Sequence, residues 1–255
     1  MPLTRDQALL LALCKIKGAN WYVLAREAQR LDGLQRLVAG ETTETSTEAL
    51  ATSAAIRSAA DRLPDLVEQA HREYERGEAV GARLTTVLDS DYPTTLRLIY
   101  NLPPFLFVRG TLAEQDLRSV AVVGTREASD VGKKRAARMS RLLVEHGVTV
   151  VSGLARGIDT AAHQATLDAG GRTIAVIGTG IRRCYPPENR DLAERIVENG
   201  ALVSQFWPDT APATYTFPRR NVTMSGIAQG TVVIEASSTS GAKLQARLAL
   251  EHGKK

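Results

Sequence analysis

The chain has 255 residues, 44% of them hydrophobic, and 32 lysines and arginines against 28 acidic residues give a formal net charge of +4. This length and composition predict a sizeable core in one large domain, or in a large and a small one. The two distant cysteines, Cys14 and Cys184, exclude a disulfide framework and a zinc-ligand pattern. A charge of +4 identifies no anionic partner by itself, so the distribution of basic residues matters more.

The N-terminal stretch MPLTRDQALLLALCKIKG has no basic segment before its short apolar run. It therefore lacks the features of a signal peptide or a membrane span. We expect a cytoplasmic protein with no membrane partner, and the low cysteine content fits a reducing compartment.

Residues 1–80 contain no long β-branched run, and the spacing of their leucines predicts a first helix from Thr4 to Leu13. Further helices are predicted over 21–31, 34–38 and 48–77, the last with an interruption at Leu63 and Pro64. We interpret residues 1–80 as a small all-helical domain, SAM-like or helix-hairpin-helix-like. Two readings stay open for it: a module that binds the DNA backbone, or a packing or spacer module.

From residue 81 onward, apolar strands alternate with helices, which is typical of a parallel sheet buried on both faces. Strands are predicted over 83–88, 105–110, 119–124, 148–153, 173–178, 201–206 and 231–236. Helices are predicted over 131–146, 160–169, 189–199, 220–229 and 241–252, whereas the prolines between 93 and 104 are expected to break any helix there. Residues 81–255 should therefore form an α/β, Rossmann-like, doubly wound and mostly parallel sheet.

Ligands of such a sheet bind beyond the carboxyl ends of its strands. The segments at these ends are rich in glycine, hydroxyl groups and arginine. Glycines let backbone N–H groups approach a ligand, helix N-termini favour anions, and arginines pair with phosphate. The stretch FPRRNVTMSG, starting at Phe217, adds an aromatic ring, and no acidic residue lies between Asp209 and Glu235. The pattern predicts a site for a phosphate-rich ligand, although neither GTGIRR nor GTREASDVG matches the dinucleotide fingerprint.

The sequence gives little support for catalysis, because it contains no CxxC or HExxH and Cys184 has no histidine beside it. We expect His163 to pack in the core, and Asp159 to cap a helix or complement its dipole. Glu235 is expected either to hold a ribose hydroxyl or to orient arginines. No enzymatic activity, catalytic residue, metal or cofactor is expected.

Six blocks of the chain carry a resemblance to a known family. They are DSDYPTTLRLIYNLPPFLFVRG, VAVVGTREAS, VVSGLARGIDTAAHQATLDAGGRTIAVIGTG, YPPENRDLAERIVENGALVSQF, FPRRNVTMSG and SGAKLQARLALEHG, and they cover most of residues 89–253. These blocks strongly resemble the DNA-processing protein A family, also called DprA or Smf. The resemblance implies an extended Rossmann-like domain that binds single-stranded DNA and loads the RecA recombinase onto it during natural transformation, without a metal or nucleotide cofactor. It also implies a homodimer formed through that domain.

The family motifs and the strand-end pattern together assign the DNA-binding residues. They are Gly124, Thr125, Arg126, Ser152, Gly153, Ala155, Arg156, Gly157, Gly178, Thr179, Gly180, Phe217, Pro218, Arg219, Arg220 and Asn221. The expected supporting residues are Asp159, Tyr185, Glu235, Ser240 and Gly241. The arginines are expected to neutralise phosphates, and Phe217 or Tyr215 to stack on a base. The backbone amides of 152–157 and 178–180 are expected to hold further phosphate oxygens.

The chain departs from the family pattern in several places. Gln205 stands where many members have an acidic residue, and Thr239 where many have an arginine. KIKGAN occupies the place of a Gly-Ile-Gly hairpin, which weakens the case for DNA binding by residues 1–80. Members usually continue beyond the position of Lys255, so we expect a fragment or a natural truncation, with a homodimer if the missing part is present. A sheet that ends at strand 231–236 has an unpaired edge, which favours association.

A second hypothesis uses the same strand-end pocket to bind, or to hydrolyse, a nucleotide-derived small molecule. Its basis is Glu235 and the wider superfamily, whose other members bind or cleave nucleotide derivatives at these strand ends. Against it, the P-G-G-x-G-T-x-x-E loop of the hydrolytic relatives is absent from the sequence.

Overall fold

The computed structural model describes residues 2–236 and 241–255. The chain forms two compact units: Met1–Tyr92 with Tyr100–Leu106, and Pro93–Ile99 with Phe107–Lys255. Among the described residues, none of the helices has both the length and the apolar character needed to span a membrane.

The first unit consists mainly of helices that pack through buried leucines such as Leu10, Leu13 and Leu24. Its elements are α1 (Arg5–Cys14), α2 (Trp21–Ala28), α3 (Gly33–Val38), α4 (Thr47–Ser58), α5 (Leu63–Glu78) and β1 (Arg83–Thr86). Thr4 caps α1 as predicted, in a reciprocal capping box with Gln7. The predicted interruption near Pro64 separates α4 from α5, and the proline lies in the first turn of α5, where a missing N–H costs nothing.

The second unit is built around a mostly parallel sheet. Its strands are β2 (Phe105–Gly110, which begins in the first unit), β3 (Ser119–Val123), β4 (Thr149–Ser152), β5 (Thr173–Val176), β6 (Ala201–Ser204) and β7 (Gly230–Val233). They lie in the order β2-β6-β5-β4-β3-β7, and all neighbours are parallel except β2 and β6. The helices are α6 (Thr94–Arg97), α7 (Asp130–Glu145), α8 (Ile158–Asp168), α9 (Arg190–Asn199), α10 (Thr216–Ile227) and α11 (Gly241–Glu251). The predicted α/β fold class is confirmed.

The order of the strands determines where a ligand can bind. From β3 the chain proceeds through β4, β5 and β6 in one direction, and β7 then joins the opposite side of β3. Every residue of β4, β5 and β6 is buried, as the continuous apolar runs predicted. The reversal at β3 is a topological switch point, where the carboxyl ends of doubly wound strands leave a crevice.

Two differences from the predicted helices bear on the site or its surroundings, and proline explains both. The short helix α6 forms directly after Pro93, in the segment where prolines were expected to break any helix. Helix α10 begins at Thr216 rather than at residue 220, and Pro218 lies in its first turn. A proline at the start of a helix removes only an N–H that has no partner within the helix. The segment from Phe217 to Asn221 is therefore helical rather than a loop, which fixes the directions of its side chains.

Candidate functional site

A cleft of about 590 Å³ opens at the carboxyl end of β3, within the second unit. This volume is typical of a small-molecule or nucleotide site. Of the predicted residues, those that line it are Gly124, Thr125, Arg126, Ala155, Phe217, Pro218, Arg220 and Asn221, together with Asp159 and Gly241. The structure thus brings the end of β3, the β4–α8 loop and the start of α10 to one place.

The rim of the cleft combines an exposed cation with two aromatic rings. Arg126 is exposed, and its guanidinium carbon lies 4.8 Å from the centre of the Phe217 ring. The ring of Tyr185, which is 43% exposed, lies 5.9 Å from that of Phe217 at an interplanar angle of 49°. Phe217 packs over Gly178, where a Cβ atom would come within 2.7 Å of the ring. Such an arrangement suits a base that stacks while its phosphate meets the arginine.

Arg220 is buried rather than exposed, with only 6% of its surface accessible. One terminal nitrogen donates to the carbonyl oxygens of Gly153 (2.6 Å) and Val176 (2.8 Å), and Nε donates to Asn221 Oδ1 (3.0 Å). Burial lowers the pKa of Arg220, against the opposing effect of the Asp159 carboxylate. Arg220 therefore ties the ends of β4 and β5 to α10, which makes it a positioning residue, whereas Arg126 is the exposed cation of the rim.

Asp159 is the residue that holds the loop after β4. Its Oδ2 accepts hydrogen bonds from the amides of Gly153 (3.1 Å) and Ala155 (3.3 Å). Burial raises the pKa of Asp159, while the charge of Arg220 and these hydrogen bonds act in the opposite direction. The amide of Gly180 also has a partner in the chain, the carbonyl of Thr210, at 2.9 Å. These three amides are already satisfied, which corrects the expectation that they hold phosphate oxygens.

The glycines at the strand ends allow segments of the chain to approach one another. A Cβ atom on Gly153 would come within 1.7 Å of the Arg220 guanidinium, and one on Gly124 within 2.4 Å of Ile158. On Gly157, whose φ is 77°, it would lie 2.4 Å from the Thr125 carbonyl oxygen. The expectation that these glycines open the backbone to a ligand is thus corrected: atoms of the protein fill the space.

The other predicted residues lie behind or beside the cleft. Arg219 is half-buried, with its guanidinium carbon 5.8 Å from the centre of the Phe206 ring. Ser152 and Thr179 are buried, and their hydroxyl groups donate to the carbonyls of Val122 (2.6 Å) and Arg183 (3.1 Å). Exposed Arg156 forms an ion pair with Glu188.

Glu235 accepts a hydrogen bond of 2.8 Å from the hydroxyl of Ser129, the residue that caps α7. In this structure its carboxylate therefore orients a helix cap, and not an arginine as one alternative expected. Ser240 lies outside the described residues.

His163 packs in the core, as predicted. Its Nδ1 lies 2.7 Å from the hydroxyl of Thr173, which itself donates to the Val150 carbonyl, so Nδ1–H is the donor. The ring is inaccessible to solvent, and Nε2 has no hydrogen-bond partner among the described residues. Burial, with a smaller effect from the charge of Arg220, lowers the pKa of His163 to about 3.

Sequence reasoning missed some residues of the cleft: Thr214, Met224, Ala242, Leu244 and Gln245. Gln245 is only 1% exposed. The available signal was position, because α11 follows the end of the last strand and its first turns must lie near the ligand edge of the sheet. The predicted helix over 241–252, which falls in the family block SGAKLQARLALEHG, therefore contained a residue of the cleft to which the sequence assigned no role.

Comparison with known proteins yields a consistent set of relatives. A family model described as DNA recombination-mediator protein A matches residues 83–255. DNA processing protein DprA of Streptococcus pneumoniae is 41% identical over 169 residues, which cover 66% of this chain and 60% of that protein. Protein Smf of Escherichia coli is 43% identical over 164 residues, covering 64% of this chain and 44% of that protein. The chain thus spans about half the length of these relatives.

Two solved structures extend the comparison. The X-ray structure of DNA processing protein A from Streptococcus pneumoniae matches with a TM-score of 0.79 and 30% identity, over 100% of this chain and 86% of that one. The structure of DNA processing protein A from Helicobacter pylori, described for its single-stranded DNA binding mode, matches with a TM-score of 0.60 and 26% identity, over 68% of this chain and 78% of that one.

Proposed function

The chain belongs to the DNA recombination-mediator protein A family, and we propose that it binds single-stranded DNA through the cleft at the end of β3. The observation that carries this proposal is the rim, where exposed Arg126 lies over the ring of Phe217 and Tyr185 lies beside it. An aromatic surface next to a cation is what sequence-independent binding of a single strand requires, because every base has a face that stacks. The description of the Helicobacter pylori relative supports the choice of ligand.

Two features favour a single strand over a duplex. A ring that is half-buried in a cleft contacts a base only when that base is unpaired and turned toward the protein. The rim also places the guanidinium of exposed Arg126 over the ring itself, where it can meet the phosphate next to a stacked base of one strand. We therefore expect tighter binding of oligothymidylate than of a duplex of the same length.

Arg126→Ala tests this proposal. We expect about a tenfold loss of affinity for short oligothymidylate, since the variant loses a phosphate contact and the cation over Phe217. The slope of log K against log salt should fall by about 0.7, the value for one phosphate contact on a single strand. Fluorescence anisotropy over a salt series measures both quantities.

Arg195→Ala is the matched control, because Arg195 lies on α9 in the same unit and forms an ion pair with Asp168. It removes the same charge without touching the cleft. Equal losses in the two variants would show that only the net charge matters, and an unchanged slope for Arg126→Ala would contradict a phosphate contact.

Further parts of this function are proposed from the family. The chain acts in the cytosol as a recombination mediator that protects incoming single strands and loads RecA during natural transformation, without catalysis, metal or cofactor. Pull-down of RecA in the presence of oligothymidylate tests this partner. If RecA is absent from the bound fraction, the result would count against RecA loading by this chain.

The alternative function is a sensor or hydrolase of a nucleotide derivative. It predicts that mononucleotides raise the thermal stability of the chain or are turned over by it.

We also propose that this chain associates with a second copy through the edge of its sheet, whereas the homodimer implied by the family resemblance is proposed for a chain that continues beyond Lys255. Strand β7 lies at one end of the strand order, and Val233 on it is 38% exposed. At its start, the amide of Thr231 donates to the carbonyl of Lys255 at 2.8 Å, so this part of the edge already has a partner. An open strand edge favours pairing with a second chain. Light scattering after size exclusion should give a mass above the 27.5 kDa of one chain, and a monomer at high concentration would contradict the proposal.

A further inference from the structure

Gln245 is a buried amide with unused hydrogen-bonding capacity. It lies on α11 at 1% exposure and forms part of the cleft wall. Among the described residues, neither its Nε2 nor its Oε1 has a hydrogen-bond partner. Buried polar atoms are nearly always paired, so an amide with both ends unpaired, at the wall of a ligand-sized cleft, points to a partner that enters the cleft.

The amide also limits the chemistry of that partner. A primary carboxamide presents a donor and an acceptor side by side, and it is satisfied by an edge that presents an acceptor beside a donor. Phosphate oxygens offer acceptors only, so a phosphate leaves Oε1 unpaired. The hydrogen-bonding edges of nucleobases carry an adjacent donor and acceptor, and glutamine pairs with such edges in this two-point manner.

The rest of the cleft agrees with a flat, partly apolar ligand. Met224 and Ala242 are buried apolar residues of its wall, and Leu244 adds an exposed one. Two nearby polar groups already have partners in the chain, since Nη1 of Arg220 donates to two strand-end carbonyls and Oδ2 of Asp159 accepts from two loop amides. Gln245 thus offers the cleft an uncommitted donor and acceptor together.

We propose that Gln245 binds the hydrogen-bonding edge of a nucleobase that inserts into the cleft from the strand held at the Arg126–Phe217 rim. This inference rests on the proposed function and adds the base contact to it. A half-turn of the amide exchanges its donor and acceptor, so Gln245 accepts each of the four bases. Gln245 therefore distinguishes a base from an analogue of the same shape that cannot form hydrogen bonds. It does not distinguish one base from another.

The experiment compares two short oligomers of about six nucleotides, a length within the site size of single-strand binders. One is oligothymidylate, and the other carries 2,4-difluorotoluene in place of every thymine, which keeps the shape and loses the hydrogen bonds. We expect the full chain to bind oligothymidylate about tenfold more tightly than the analogue, as one two-point contact allows. In Gln245→Leu and Gln245→Met this ratio should fall close to one, mainly through weaker binding of oligothymidylate.

The controls separate the possible failures. Gln164→Leu makes the same change on α8 at a residue outside the cleft wall, and it should keep the wild-type ratio. A ratio that survives in both Gln245 variants, while Arg126→Ala still weakens binding, overturns the base contact and leaves the proposed function intact. If the full chain binds neither oligomer, the proposed function itself fails. One further outcome has thymidine 5′-monophosphate as the only ligand: if it raises the thermal stability of the full chain but not of the Gln245 variants, and neither oligomer binds, then DNA is not the source of the base.

Discussion

Gly153→Ala should destabilise the second unit by about 2–4 kcal/mol and abolish tight binding of single-stranded DNA. The added methyl group would lie 1.7 Å from one terminal nitrogen of Arg220, 2.4 Å from the guanidinium carbon and 2.6 Å from the other terminal nitrogen. Arg220 is buried, so its guanidinium has little room to move aside without breaking its bonds to the carbonyls of Gly153 and Val176. Those bonds hold the helix that carries Phe217, so the rim should be lost with them.

The measurement needs a signal from the second unit alone. The chain has two tryptophans, Trp21 in the first unit and Trp207 in the second. In a Trp21→Phe background, tryptophan fluorescence during urea unfolding reports on the second unit. Gly241→Ala is the matched control, because a Cβ atom there meets no atom of the described residues within 4 Å, and it should change stability little.

A double-mutant cycle identifies the cause of the loss. If the clash with Arg220 is responsible, Gly153→Ala should cost much less in an Arg220→Ala background than in the parent, since the two changes remove the same interaction. Additive losses would show that Gly153 is needed for another reason, such as the path of the loop after β4.

The fold was predictable because burial of a strand on both faces leaves a feature that is visible in the sequence. A strand buried on both faces must be a continuous apolar run, and runs such as the one ending at Gly153 are unambiguous when helices separate them. The switch in strand order at β3 was not visible in the sequence, because periodicity indicates what each element is and not which neighbour it pairs with. The location of the cleft followed from the fold class, but its precise wall did not.

The candidate site was predictable as a set of segments and not as a set of roles. Adjacent Arg219 and Arg220 look equivalent in sequence, yet the start of α10 at Thr216 turns one toward Phe206 and buries the other. A glycine at a strand end has two readings, access for a ligand or close packing of the chain, and only the contacts of Gly153 distinguish them. Gln245 lies within the family block SGAKLQARLALEHG, but the sequence assigned it no role, so burial without a partner was the first sign of its importance.

His163 should make the second unit sensitive to acid. Its pKa is about 3 in the folded chain, because burial disfavours the charged ring, against an ordinary value of 6.5. Between pH 6.5 and 3, therefore, the unfolded chain binds a proton at this residue that the folded chain does not. Stability from this group is complete above the unfolded pKa and falls by about 1.4 kcal/mol for each pH unit below it. By pH 5 the loss should reach about 2 kcal/mol.

His163→Leu and His163→Gln should remove this loss, so that wild type and variants differ by about 2 kcal/mol in the change of unfolding free energy between pH 7 and 5. Burial raises the pKa of Asp159, which works in the opposite sense by favouring the folded chain as pH falls, and it remains in both variants. Burial also lowers the pKa of His252, which weakens the second unit in acid and remains in both variants. The prediction is therefore the difference between the pH profiles of wild type and variants, and not a flat profile for the variants.

Urea unfolding in the Trp21→Phe background measures the difference, with exposed His146→Gln as the control. Parallel pH profiles for wild type and the His163 variants would mean that the ring is protonated in the folded chain, contrary to its burial and to its single hydrogen bond with Thr173.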